Sequence, residues 1–286
     1  EADVLSNRTA QAIGGLRKED FVLYEDGVKQ EISHFSQDKL PLSVLLLLDV
    51  SSSVLPRMKK LREGALESLQ NLKPADEIAV MVFAQKPTLV SGFTKDRVAT
   101  AYAIEFATAQ RAGGETDPNE AVMQAAAYLK NATNADNRRV VIAISDDIST
   151  HKALPRNKAN AIQELLESGS VVCGLFFESI FKKKEEQQPD AYGGSVQNIV
   201  ITGETDVISA YVERTGGVAI NADQDNIREN FRRLIERLRT RYSFSYHSTN
   251  NSRDGKFRKI KLQLAPQAKK REKGIAVITR KGYFAR

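Results

Sequence analysis

With 286 residues, 41% of them hydrophobic and 27% charged, the chain has the length for one large domain plus a smaller one and the composition of a water-soluble globular protein. Its 42 Lys and Arg against 36 Asp and Glu give a formal charge of +6 over a mixed surface, which is not the basic stripe of a nucleic-acid binder. The single Cys173 excludes an internal disulfide, the longest strongly apolar run, residues 44–50, is too short to cross a bilayer, and the chain opens at Glu1 without methionine or an apolar leader, as a processed or trimmed chain does.

In chain order, residues 21–25 and 28–35 read as two strands joined at Asp26-Gly27, a hairpin signal. Residues 44–49, 78–83, 140–145 and 171–177 are near-continuous apolar runs, expected of strands covered on both faces. Met58, Leu61, Ala65, Leu69 and Leu72 recur at helical spacing, as do Ile227, Phe231, Leu234, Ile235 and Leu238. The arginines of that second helix (Arg228, Arg232, Arg233, Arg237, Arg239) read as its solvated face. Residues 179–198 are hydrophilic and of mixed charge, which predicts a mobile surface loop. Near the end, residues 242–247 and 259–264 alternate with period two around Asp254-Gly255, which predicts a second hairpin.

Neither chain end is long enough to bury a core alone, so the ends are expected to fold together. The predicted fold class is therefore α/β: a doubly wound, mostly parallel sheet flanked by helices (residues 41–240), inserted in a small antiparallel β domain built from residues 1–38 and 241–286.

Chemistry concentrates at Asp49-Val50-Ser51-Ser52-Ser53, which follows a buried strand and so lies at the carboxyl edge of the sheet, where ligands bind in such folds. Asp49, Ser51 and Ser53 alternate, so their oxygens can converge on one hard cation. Alone, the run also fits a plain turn or helix cap. Further oxygens come from Thr116 in Gly113-Gly114-Glu115-Thr116 and from Asp146 in Ser145-Asp146-Asp147. Together these predict one divalent cation, Mg²⁺ first, with Mn²⁺ or Ca²⁺ as alternatives.

These residues resemble the von Willebrand factor type A domains, whose metal-ion-dependent adhesion site joins an Asp-x-Ser-x-Ser loop, a threonine in a later Gly-rich loop and an aspartate after a central strand. The resemblance implies that Ser51, Ser53 and Thr116 contact the metal, that Asp49 and Asp146 act directly or through water, and that a partner's carboxylate fills the open position. Thr116 keeps the family's five-residue step to a small residue, Ala121. The chain is similar over nearly its whole length to bacterial von Willebrand factor type A related proteins, first recognised in acidobacteria, through Leu16-Arg17-Lys18-Glu19-Asp20-Phe21, Glu25-Asp26-Gly27, Thr215-Gly216-Gly217, Asp254-Gly255-Lys256-Phe257 and Arg280-Lys281-Gly282-Tyr283. Those members carry export signals, which implies a secreted, periplasmic or cell-surface location. Two departures stand out: Glu115 beside Thr116 where glycine is usual, and Asp147 where glycine commonly follows the aspartate.

The expected function is thus a non-enzymatic module that grips a protein partner through an Asp or Glu side chain, without nucleic acid, membrane insertion or a small-molecule substrate. Residues 55–57, Arg111 and residues 148–151 are the expected rim. A structural domain whose metal only fastens loops is the alternative. A hydrolase would use Ser51 or Ser53 with His34, His151 or His247 as base, but no Gly-x-Ser-x-Gly elbow, His-Glu-x-x-His or phosphate loop accompanies them. Lys182-Lys183-Lys184 and Lys269-Lys270-Arg271 lack the interleaved aromatics of a nucleic-acid platform.

Overall fold

The computed structural model describes residues 1–9, 11–37, 40–109, 115–134, 137–151, 155–177, 204–221 and 227–286. The predicted loop at 179–198, Arg111, Gly113 and Gly114 lie outside the described residues.

The chain opens with strands β1 (Ala2–Ser6), β2 (Phe21–Glu25), β3 (Val28–Gln30) and β4 (Ile32–Ser36). The central part follows as β5 (Leu42–Asp49), α1 (Met58–Ser68), β6 (Glu77–Phe83), β7 (Thr88–Thr94), α2 (Arg97–Ala109), α3 (Pro118–Tyr128), β8 (Arg138–Ser145) and β9 (Ile148–Ser149). It continues through α4 (Pro155–Ser168), β10 (Val171–Phe176), β11 (Glu204–Thr205), α5 (Val207–Thr215), β12 (Ala219–Asn221) and α6 (Ile227–Arg239). The chain then closes with β13 (Ser243–Tyr246), β14 (Phe257–Leu264), α7 (Pro266–Arg271), β15 (Ile275–Thr279) and β16 (Gly282–Phe284).

A six-stranded sheet of order β12-β10-β8-β5-β6-β7 forms the centre, parallel throughout except for the antiparallel edge strand β7. Because side chains alternate along a strand, β5 feeds two layers. Leu46 and Leu48 pack with Leu61 of α1, Ile104 of α2 and Phe231 and Leu234 of α6. Leu45 and Leu47 pack on the other face with Val122 of α3, Leu165 of α4 and Tyr211 of α5. Both faces being covered is why these strands read as unbroken apolar runs. From β5 the chain winds outward to β6, and β8 then returns to the other side of β5, so the carboxyl ends of β5 and β8 flank a topological switch point, the place where sheets of this kind bind ligands.

Strands from the two ends of the chain pair with each other: β1 with β15, β2 with β14 and β4 with β13, all antiparallel. Phe21, Leu23, Ile32, Tyr242 and Leu262 form a third buried cluster between them. The Phe21 ring centroid lies 5.8, 5.4 and 5.0 Å from those of Phe35, Tyr242 and Phe244.

The second predicted hairpin is not formed. Asp254-Gly255 is a turn, with Gly255 at φ +71°, but β13 pairs with β4 whereas β14 pairs with β2 and β16. The cause lies in the connection: the Ser248 hydroxyl donates to Glu25 at 2.6 Å and the Thr249 N–H to Gln30 at 3.0 Å, carrying the chain past the first hairpin before it turns. The predicted strand 28–35 is likewise divided, β3 pairing with β2 and β4 with β13. The arginines of α6 are not uniformly solvated either. Arg232 and Arg233 are exposed beside Glu229, but Arg239 is buried on Asp76 and Arg237 reaches Asp3 at 2.8 Å. The Thr215-Gly216-Gly217 motif is a packing device: Gly216 caps α5 in the left-handed region at φ +70°, and a Cβ on Gly217 would sit 1.7 Å from the Val172 carbonyl oxygen of β10.

Arg138, the first residue of β8, joins the central sheet to the C-terminal strands. It is fully buried, donates to the carbonyls of Leu238 and of Arg241 (2.6 Å), and lies 3.3 Å from the Glu1 carboxylate. Arg138→Met keeps most of the volume but strands those acceptors, so a loss of about 3 kcal/mol is expected in urea unfolding. Arg232→Met on the exposed face of α6 should leave the urea midpoint unchanged, and equal effects would contradict the assignment.

Candidate metal site

Asp49 ends β5 with its side chain fully buried. Its Oδ1 accepts the Ser51 N–H at 2.9 Å, folding the loop back on itself, and its Oδ2 accepts the Ser145 hydroxyl at 2.6 Å across the switch point. The Val50 N–H donates to the Phe83 carbonyl at 2.9 Å, pinning the loop to the end of β6. Ser51 Oγ, buried, lies 3.1 Å from Ser53 Oγ, so the two hydroxyls share one small volume beside Asp49.

Thr116 is buried and held from both sides. Its N–H donates to Thr150 Oγ1 at 2.8 Å, and its carbonyl accepts from the Ser149 hydroxyl and from the N–H groups of Thr150 and His151 at 3.1, 3.2 and 3.1 Å. The next residue, Asp117, donates its N–H to the Ala84 carbonyl at 2.9 Å, and its Oδ1 caps α3 through the N–H groups of Asn119 and Glu120 at 3.1 and 3.2 Å. Thus the Thr116 loop is fixed between the end of β6 and the segment after β8. Asp146 follows β8 directly. Its Oδ1 accepts the Ile148 N–H at 3.3 Å, while Oδ2 is buried and meets no hydrogen-bond donor.

The electrostatics follow from this burial. The Asp49 carboxyl is pushed up to about 7, first by loss of water and second by the charge of Asp146, against which the hydroxyls of Ser145 and Ser51 work. Asp146 is raised as well, chiefly by burial, while the nearby Ser53 hydroxyl, the backbone N–H of Ile148 and the Arg57 charge pull the other way. Two buried carboxylates, one with an oxygen that meets no hydrogen-bond donor, are costly when charged, and the Arg57 charge offsets only part of that cost, since both carboxyls stay raised. A divalent cation fits that need, and hard carboxylate and hydroxyl oxygens suit Mg²⁺, Mn²⁺ or Ca²⁺. Among the described residues no group of three or more His, Cys, Asp or Glu could hold a metal. The candidate donors are instead two carboxylates and three hydroxyls, a set that leaves positions for water or an incoming ligand.

Both sequence departures have partners. Glu115 is exposed and hydrogen-bonds His151 Nδ1 at 2.7 Å, which raises the imidazole above its usual range. Asp147 is buried, sits in the left-handed region at φ +58°, and directs its carboxylate to the N–H groups of Ile208 and Ser209 at the start of α5. Of the histidines weighed as a base, His151 is engaged by Glu115, His34 is exposed on β4, and His247 is exposed just past β13. The expected rim needs correction: Ile148 and Ser149 are buried in β9, which pairs with β11, leaving only Thr150 and His151 of that stretch at the surface. Arg57 stays at the rim, 5.8 Å above the Phe177 ring. Ser145 escaped sequence reasoning as a site residue, though its place as the last residue of a buried strand was a signal, and Thr150 was expected at the rim but not as a partner of Thr116.

Residues 44–148, a range that includes all five candidate ligands, match the family model described as von Willebrand factor type A domain. No curated protein matches the chain. Among solved structures, the conserved hypothetical protein BatB from Bacteroides thetaiotaomicron is 19% identical, with a TM-score of 0.51 over 69% of this chain and 98% of that one. Proximal thread matrix protein 1 from the mussel byssus is 13% identical, with a TM-score of 0.51 over 71% of this chain and 49% of that one. At these identities the two structures share the fold.

A carboxyl raised on folding binds its proton more tightly in the folded state, so its stabilisation is complete below the usual carboxylate range and is lost as pH rises through the folded value. For metal-free protein, the stability advantage of Asp49→Asn over the wild type should therefore grow from pH 4 to about 7 and level off above. Parallel melting curves of the two proteins across that range check it; a constant difference would remove Asp49 as the titrating group.

Proposed function

We propose, on the premise that residues 44–148 belong to the von Willebrand factor type A family, that this chain is a non-enzymatic protein-binding module whose grip depends on a divalent cation. Ser51, Ser53, Thr116 and Asp146 would hold the ion, with Asp49 completing the set directly or through water. Mg²⁺ is the first expectation. When bound, the ion supplies an electrophilic position for a carboxylate of a partner protein, and the surrounding side chains, Arg57 and Thr150 among them, set which partner fits. The location proposed is outside the cytoplasm. Among the described residues no helix is long and apolar enough to cross a membrane.

The observation that carries this reading is the buried, unpartnered Oδ2 of Asp146 beside the buried Asp49. Several of the other polar contacts at this edge tie one loop to another: Asp49 to Ser145, Val50 to Phe83, Thr116 to residues 149–151. The loops are thus already fastened by direct hydrogen bonds, which favours an ion used for gripping over one that merely staples loops.

Thermal unfolding of chelator-stripped protein, titrated with Mg²⁺, Mn²⁺ and Ca²⁺ beside Asp49→Asn, tests the reading. A ligand that binds only the folded state adds about 2.7 kcal/mol at 100 times its Kd. The wild type should gain such a shift with at least one ion and the variant should not. Equal behaviour of the two proteins with every ion would overturn the site.

A further inference from the structure

Asp147 belongs to neither the ligand set nor the core, and its role lies elsewhere. The residue that begins α5 as its N-cap, Asp206, is itself left-handed at φ 60° and makes no side-chain cap hydrogen bond. The exposed N–H groups of a helix start need acceptors. Here they come from a distant loop: Asp147 Oδ1 accepts the Ile208 N–H at 2.6 Å, and Oδ2 accepts the Ser209 N–H at 3.2 Å together with the Ser209 hydroxyl. The Asp147 carbonyl also accepts the Asp206 N–H at 3.0 Å, and β9 pairs with β11 alongside.

The backbone of Asp147 is in the left-handed region, which a residue with a Cβ adopts at a cost. Glycine, usual here in the family that the sequence resembles, would take that conformation freely but could not cap α5. The cap bonds therefore hold Asp147 in place, and with it the direction of the neighbouring Asp146 side chain. A second tie runs from the Thr116 side: α3, which starts after Asp117, is joined to α5 by the Tyr211 hydroxyl donating to Asn119 Oδ1 at 2.6 Å.

We propose that Asp147 is a positioning residue that couples the cation site to α5, so that a cation drawn onto Asp146 tightens the start of α5 and loosening α5 weakens the cation. The proposal rests on the metal-binding reading above. Coupling between two sites is reciprocal, so both directions are measurable.

The experiment combines calorimetric Mg²⁺ titration with backbone hydrogen exchange of residues 207–215, for the wild type, Asp147→Gly and Asp147→Asn. Loss of a residue that orients a metal ligand typically weakens metal by about tenfold or more. Asp147→Gly should therefore bind Mg²⁺ about tenfold more weakly. Asn, which tolerates the left-handed region and keeps an acceptor oxygen, should stay within about threefold of the wild type. Mg²⁺ should slow exchange at the start of α5 in the wild type and leave it unchanged in Asp147→Gly. A merely structural cap predicts faster exchange in the glycine variant with no response to Mg²⁺ in either protein, which would overturn the coupling. An asparagine variant as weak as the glycine one would mean that Asp147 acts by charge, and would overturn the positioning role. If Mg²⁺ binds the wild type and α5 does not respond, the coupling alone fails; if Mg²⁺ does not bind at all, the metal-binding reading fails with it.

Discussion

Two carboxylates buried side by side at the end of a parallel sheet are the constraint on which the site depends. In water each would ionise freely, but Asp49 is fully buried at the end of β5, and Asp146 keeps one oxygen without a donor. Charge in such a place demands a countercharge, a proton or a metal ion. The surrounding chemistry limits the choice, because serine and threonine hydroxyls with carboxylates make a hard oxygen set. What the neighbouring loops do is hold that set open: Ser145 fixes Asp49, and residues 149–151 fix Thr116.

This arrangement is possible only because the sheet places the loops together. β5 and β8 are adjacent and parallel, and the winding reverses between them, so their ends flank the topological switch point of the sheet. The helices on both faces seal the strands from water, so the strand ends that carry the site, Asp49 among them, are buried. The strands from the chain ends pair into further antiparallel sheets with their own buried cluster, and Arg138 carries hydrogen bonds from β8 to the segment that leads into them.

Much of this was legible in the sequence, for physical reasons. Strands buried on both faces appear as unbroken apolar runs, so residues 44–49 and 140–145 announced the core of the sheet and therefore the loops beyond them. Helical spacing located α1 and α6. Strand partners were less legible, since a turn signal such as Asp254-Gly255 reports a reversal of direction and nothing about which strand lies alongside; long-range contacts from Glu25 and Gln30 decided that. The fate of Asp147 was also hidden. An aspartate beside a candidate ligand suggests another ligand, and only its left-handed backbone and the bonds to Ile208 and Ser209 reveal a cap on a helix that begins 60 residues later in the chain.

The central claim is that a cation belongs between these loops, and a crystal grown with Mn²⁺ tests it most directly through anomalous scattering. The account predicts a single strong peak at the carboxyl edge of β5 and β8, in contact with Asp146 Oδ2 and the hydroxyls of Ser51 and Ser53. A map with no peak there at saturating Mn²⁺, with the Asp146 oxygen bonded to protein or water instead, would contradict it.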